Sequence, residues 1–283
     1  MPNPIASLKQ KIIRRIAESH LAGPSLADAV HVYNLAAERG WSSTFGPWTD
    51  PADTLKAVAD QYRGALQTIL DGSLNCYLSV KLTTLQYEFT IIKELVEKGK
   101  TGGVRIHFDS MDPDSAAPTS KMVERILATH RNIGYTIAAR WQRSVRDAQQ
   151  VIDWGIPVRI VKGQWADPSG PKADVRKNYL ATIDALAGKG VPVEVATHHR
   201  PLAAESLRRL IQAGTSCEME QMSGLPQNCV SLAKQLHIPM RLYIGYGYPS
   251  LPYSIREVQA RPAIVGWVLR DFILGARKKL SSA

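Results

Sequence analysis

The chain has 283 residues, 45% of them hydrophobic and 21% charged, with 20 Gly and 17 Pro; this is ordinary globular composition and excludes collagen-like, low-complexity and disordered classes. A net charge of +10, from 35 basic and 25 acidic residues, raises nucleic acid, a membrane surface and anionic ligands as partners. The basic residues are scattered, densest at Lys9–Arg15 and Arg277–Lys279, with no zinc-finger or RNA-binding motif beside them, so a solvated basic face is favoured, weak attraction to an anionic lipid surface stays open, and nucleic acid is not expected as a partner.

No stretch approaches the roughly 18 consecutive apolar residues of a membrane span. The first 20 residues carry charges through their apolar positions and are not expected to act as a secretory signal. Three cysteines, Cys76, Cys217 and Cys229, have neither disulfide-framework nor metal-ligand spacing. They are expected as buried filler in a reducing cytoplasm, and no metal is expected.

In chain order, helical spacing covers Pro4–Ser19 and Leu26–Arg39, followed by a short strand at Ser43–Phe45. Asp50 and Pro51 are the right residues to cap and open a helix over Asp53–Leu70. A strand at Cys76–Leu82 precedes a helix at Leu85–Glu97, with a glycine stop expected at Gly99. Strands then alternate with helices: Val104–Phe108, Ser120–Thr129, Ile133–Ala138, Ser144–Trp154, Val158–Lys162, Asp174–Lys189, Val191–Ala196, Leu202–Ala213, Cys217–Met219, Asn228–Leu236 and Met240–Ile244. A helix at Ile264–Ala276 closes the chain. Most of these strands are continuously apolar, as in a parallel sheet buried on both faces.

Eight strands, each followed by a helix, predict an α/β fold of the (βα)8 TIM-like barrel type, with residues 1–40 as an N-terminal helical arm and 41–283 as the barrel domain. A doubly wound sheet competes, but neither GxGxxG nor GxxxxGK[ST] occurs, which removes the usual dinucleotide and P-loop arguments. In a barrel the site lies at the C-terminal strand ends. Those positions carry Lys81, His107 and Asp109, Arg140 and Arg143, Lys162 and Trp165, then Thr197, His198 and His199. Glu218, Glu220 and Gln221 follow, and Tyr243, Tyr246, Tyr248, Tyr253 and Arg256 come last. Polar residues at strand ends meet solvent in any barrel, yet cations, aromatics and histidines on one rim suit a flat anionic ligand. Arg159 sits inside an apolar strand, where an unpaired charge costs several kcal/mol. Either it forms a buried ion pair or it contacts a cofactor or substrate.

The run VRIVKGQWADP (Val158–Pro168) resembles the VRLVKGAY motif of the flavin-dependent proline dehydrogenase family. Six other segments follow in the family's order: SVKLTTL (Ser79–Leu85), RIHFDSMD (Arg105–Asp112), EVATHH (Glu194–His199), CEMEQMSGL (Cys217–Leu225), RLYIGYG (Arg241–Gly247) and PYSIREVQARP (Pro252–Pro262). The resemblance implies a distorted barrel with FAD at its mouth and a last helix over that mouth. It also implies oxidation of L-proline to 1-pyrroline-5-carboxylate by hydride transfer to flavin N5, with electrons passing to quinone or another acceptor. Such an enzyme would be cytoplasmic, in peripheral contact with the inner membrane. Arg159 matches the arginine beside the reactive edge of the flavin, and Lys162, Gly163, Trp165, Thr197, His198 and Glu218 match FAD-contacting positions. Lys81, Asp109, Tyr243, Tyr253 and Arg256 match the substrate pocket, with Lys81, Asp109 and Arg159 the catalytic candidates.

The departures gather on the substrate side. The family's RRxxE run reads Arg256-Glu257-Val258-Gln259-Ala260, which puts an acid at the second arginine position. A glutamine expected at the fourth strand is Ala138, the EFQ of the seventh strand is Glu218-Met219-Glu220, and the DxLGE-like stretch after the first strand shrinks to Gly46-Pro47-Trp48. Glu257 and Glu220 therefore leave open a different cyclic or cationic amine as substrate, or a non-catalytic homologue.

Overall fold

Eight parallel strands pair in sequence order and the last closes on the first. The structure, a computed structural model, describes residues 21–165, 167 and 174–248. The strands are β1 (Ser42–Trp48), β2 (Cys76–Val80), β3 (Ile106–Phe108), β4 (Ile133–Ala138), β5 (Val158–Val161), β6 (Val193–Ala196), β7 (Cys217–Met222) and β8 (Met240–Gly247). Helix α1 (Leu26–Ala37) precedes them. Helices α2 (Leu55–Asp71), α3 (Phe89–Thr101), α4 (Pro113–Leu127), α5 (Ser144–Trp154), α6 (Val175–Leu186), α7 (Arg200–Gln212) and α8 (Val230–Gln235) follow β1 to β7 in turn. The expected helices at Pro4–Ser19 and Ile264–Ala276, and the expected helix over the mouth, lie outside the described residues. None of the described helices is long and apolar enough to cross a membrane.

Several boundaries differ from expectation for local reasons. The α2 cap is Thr54, whose hydroxyl accepts from Ala57 N at 3.2 Å, while Asp50 turns back to accept from Ala52 N at 2.8 Å. Left-handed backbone at Gln86 and Tyr87 (φ 50° and 57°) delays α3 to Phe89. That helix then runs through the buried Gly99 and stops at Gly102. Helix α4 starts seven residues early because Asp112 and Ser115 form a capping box and Pro113 opens the first turn. The first strand reaches Trp48 because β1 pairs with β8 over seven residues, so the Gly46-Pro47-Trp48 stretch is strand rather than the loop after it.

Helix α1 covers the outside of the β1–β8 seam. Ala29, Tyr33 and Ala36 are buried there, the Tyr33 ring meets Phe45 edge-on at 6.2 Å, and the Tyr33 hydroxyl accepts from Asn75 N at 3.0 Å.

The strands alternate. Leu78, Val80, Ile106, Phe108, Ile133, Ile137, Ile160, Val195 and Ile244 are buried in the apolar core with helix residues such as Leu66, Val123 and Leu207. The intervening positions reach across the lumen: Arg159 of β5 touches residues of β2, β3 and β7, none of them a neighbouring strand. Barrel interiors are usually layered with Val, Ile and Leu. Here Arg105, Arg159, Arg241 and Lys81 share the interior with Asp109, Glu194, Glu218 and Glu220. Charge balance is therefore a condition of closure, since each unpaired buried ion costs several kcal/mol.

Candidate active site

Arg159, second residue of β5, is 2% exposed, and each of its three side-chain nitrogens meets a different strand. Nη1 donates to Asp109 Oδ1 at 2.7 Å, Nη2 to the Tyr77 hydroxyl at 2.9 Å, and Nε lies 2.8 Å from Glu220 Oε1. The guanidinium also stands 5.1 Å from the Tyr243 ring centroid. The neighbouring carboxylates hold it charged despite its burial.

Asp109, just past the end of β3, joins the mouth to this network. Its Oδ1 accepts from Thr136 at 3.1 Å and its Oδ2 from the Tyr243 hydroxyl at 3.3 Å. Because Thr136 gives its only hydroxyl proton to Asp109, it accepts from His107 Nε2 at 3.0 Å. Burial and Arg159 push His107 well below the usual histidine range, so the ring is neutral. Lys81 is buried beside them, donates to Pro47 O at 3.1 Å and stands 5.9 Å from the Trp48 ring centroid; burial lowers its pKa. Lys81, Asp109, Arg159 and Tyr243 are thus brought together at one end of the lumen.

Glycine at position 46 makes room for this arrangement, since a Cβ there would overlap the Tyr243 hydroxyl. Gly46→Ala is expected to push Tyr243 off Asp109 and to cost about 1–3 kcal/mol of stability. Urea denaturation checks it, and an unchanged midpoint would mean the phenol does not cross the β1 strand.

A second group lies where β4 and β5 end. Arg140 Nε donates to Gly163 O at 2.9 Å, and Trp141 Nε1 donates to Trp165 O at 3.1 Å, tying the two loops together. Gly163 has φ +79°, and a Cβ there would sit 2.8 Å from that of Ala138, so the turn requires glycine. Lys162 is half-buried with no ion-pair partner among the described residues; burial and Arg140 both press it toward the neutral form. Two facing cations, a close-approach glycine turn and the neighbouring Trp165 suit a flat, anionic dinucleotide, and the residues present fit FAD on that ground.

Three expected cofactor contacts have other partners. His198 Nε2 accepts from Met222 N at 3.1 Å and Nδ1 faces Pro226 O at 3.1 Å, an arrangement that requires the neutral ring. The Thr197 hydroxyl accepts from His199 N at 3.1 Å. Glu218 pairs with Arg241 Nε at 2.7 Å, four residues before the C-terminal end of β7 and so toward the opposite end of the barrel. Tyr253, Arg256 and Glu257 lie outside the described residues. Sequence reading passed over Tyr77 and Glu194. The Tyr77 ring is flanked by Arg105 at 4.0 Å and Arg241 at 4.3 Å, and its hydroxyl donates to Glu194, which also pairs with Arg105. The available signal was parity: every charged strand residue falls at a lumen position.

No protein-family model matches the chain. It is 23% identical over 276 residues to proline dehydrogenase 1 of Bacillus subtilis, covering 91% of this chain and 90% of that protein. It is 22% identical over 243 residues to proline dehydrogenase 2 of the same strain, covering 80% and 78%. Among solved structures, proline utilization A from Bdellovibrio bacteriovorus, inactivated by N-propargylglycine, superposes with a TM-score of 0.72 at 15% identity over 83% of this chain. Proline utilization A from Corynebacterium freiburgense gives 0.70 at 15% identity over 98%. The chain spans only 31% and 35% of those two longer proteins, and the likeness to them is one of fold. With strand-end motifs in the same order, a closed parallel barrel, and alignment over nine-tenths of its length, the chain is similar in sequence to the proline dehydrogenases of Bacillus subtilis and in fold to proline utilization A.

Proposed function

We propose that this chain is an FAD-dependent dehydrogenase that oxidises L-proline to 1-pyrroline-5-carboxylate. The observation that carries the reading is the convergence of Arg159, Asp109, Tyr243 and Lys81 from four strands at one end of the lumen. Bound FAD supplies the two-electron acceptor. Lys162 and Arg140 hold its diphosphate, Gly163 lets it approach the backbone, and Trp165 offers a flat surface. Arg159 would supply positive charge beside the ring, which would favour its reduced form. Lys81 and the phenol of Tyr243 receive the substrate. Electrons then pass to quinone or another acceptor. The enzyme works in the cytoplasm at the inner face of the membrane.

The purified protein is expected to be yellow and to bleach under argon on addition of L-proline. A panel of cyclic and cationic amines tests the substrate side, where Glu257 and Ala260 depart from the family run. Colourless protein that gains no thermal stability from added FAD would overturn the proposal; bleaching by another amine and not by proline would overturn the choice of substrate.

A further inference from the structure

Glu220 stands where the related family has glutamine, and its side chain points into the lumen rather than to the mouth. Oε1 lies 2.8 Å from Arg159 Nε, and Oε2 accepts from Thr44 Oγ1 at 2.9 Å. Oε2 is also 3.2 Å from the Tyr77 hydroxyl. That hydroxyl has one proton and gives it to Glu194. Its lone pairs receive Arg159 Nη2 and remain free to accept. Two oxygens at 3.2 Å without a proton between them repel, so the contact is satisfied when Glu220 itself carries the proton and donates it to Tyr77.

The charges around Glu220 point the same way. Arg159 of β5 and Arg241 of β8 face it as cations, and Glu194 of β6 and Glu218 of its own strand as anions. Tyr77 and Tyr243 face it from β2 and β8, and Cys76 and Tyr179 of α6 are further titratable neighbours among the described residues. Glu194 has its own arginine in Arg105 and is held ionised below the usual carboxylate range. The shared proton therefore falls to Glu220. Burial raises it, Arg159 opposes, and Glu194 adds to the rise, giving a value of about 7.

We propose that Glu220 acts as a titratable counter-charge beside Arg159. Protonated, it leaves the guanidinium charge uncompensated on that side. Ionised, with its proton released to solvent, it cancels much of that charge from 2.8 Å away. The inference deepens the flavin reading, because the field of Arg159 at a bound ring sets how readily the ring accepts electrons.

The test is Glu220→Gln in the full chain, read in two ways. With FAD bound, the midpoint potential of wild type is expected to fall more steeply with pH between 6 and 8 than that of the variant. At pH 8 the variant should sit higher by about 30 mV, a tenfold change in the equilibrium for a two-electron couple. Without added FAD, the wild type is expected to lose thermal stability between pH 5 and 8, because a group whose folded pKa is raised stabilises only while it keeps its proton. The variant should lose less. Parallel stability curves would overturn the proposal whether or not FAD binds, whereas failure to bind FAD with diverging curves would overturn only the flavin reading. If Glu220→Gln does not fold, Thr44→Val removes the Oε2 donor and is expected to move the wild-type transition to higher pH; an unmoved transition would refute the assignment.

Discussion

Arg159→Met is expected to destabilise the protein by about 3–5 kcal/mol at pH 8 and by visibly less at pH 6. Wild-type Arg159 is the common partner of Asp109 and Glu220 and stands 3.7 Å from Glu194 Oε2, all in a lumen closed to water. Methionine matches much of the side-chain length but leaves those carboxylates without their shared cation. Removing one partner of a buried ion pair is far more costly than removing both, because the remaining charge keeps its desolvation penalty. The pH dependence has a definite sign. Without the cation, Glu220 and Glu194 hold protons more tightly in the folded chain than in the unfolded one, so stability falls as pH rises. Urea unfolding at the two pH values measures both numbers. An equal loss at pH 6 and 8 would mean that the carboxylates do not depend on Arg159 for their charge balance. The same variant separates the two roles left open by the sequence. An ion pair alone predicts loss of stability with FAD binding intact below the unfolding transition, while a flavin contact predicts loss of bound FAD as well.

The other large effect is expected at Asp109. Asp109→Ala removes the acceptor of both Arg159 Nη1 and the Tyr243 hydroxyl, and frees the Thr136 hydroxyl. The phenol and the guanidinium would no longer be held relative to each other. A misplacement on the order of 1 Å in a reacting geometry costs about 100-fold in rate, so kcat/KM for proline is expected to fall by about that factor. FAD content should be retained, since Asp109 has no contact with the Arg140–Gly163 loop pair. Anaerobic reduction rates and the flavin-to-protein absorbance ratio measure the two separately. Loss of flavin with unchanged reduction of the remainder would assign Asp109 to cofactor binding instead.

Much of this architecture was legible in one dimension. The helix Ser144–Trp154 and the strand Ile133–Ala138 agree with expectation at both ends, because apolar periodicity and a following glycine mark them locally. The early start of α4 was missed even though its capping residues, Asp112 and Pro113, are local. The extent of β7 was missed for a different reason: Glu220 and Gln221 read as lying just past a short strand, whereas the barrel buries both and continues the ladder to Met222. A charged residue signals solvent in a sequence window. Inside a barrel it signals the lumen, provided that countercharges arrive from elsewhere.

The site divides along the same line. Lys81, Asp109 and Tyr243 were identified by their place near strand ends and Arg159 by its charge inside an apolar strand, and the structure joins them. His198, Thr197 and Glu218 were identified in the same way, and each is engaged by the protein itself. Position along a strand does not record which neighbour a polar atom finds. His198 differs from Lys162 in having a backbone amide and a carbonyl within reach, a fact that depends on how the β7–α8 loop returns.

Residue order on its own determined the parallel alternation of strands and helices, the polar parity of the lumen positions and the kinship of the strand-end motifs. Only the closed barrel decided that Arg159 would meet Asp109 50 residues away and Tyr77 82 residues away, with Glu220 behind it. Such contacts cross the lumen between strands that are not neighbours in the sheet. They depend on closure and on the stagger between strands, to which no local run of residues is sensitive.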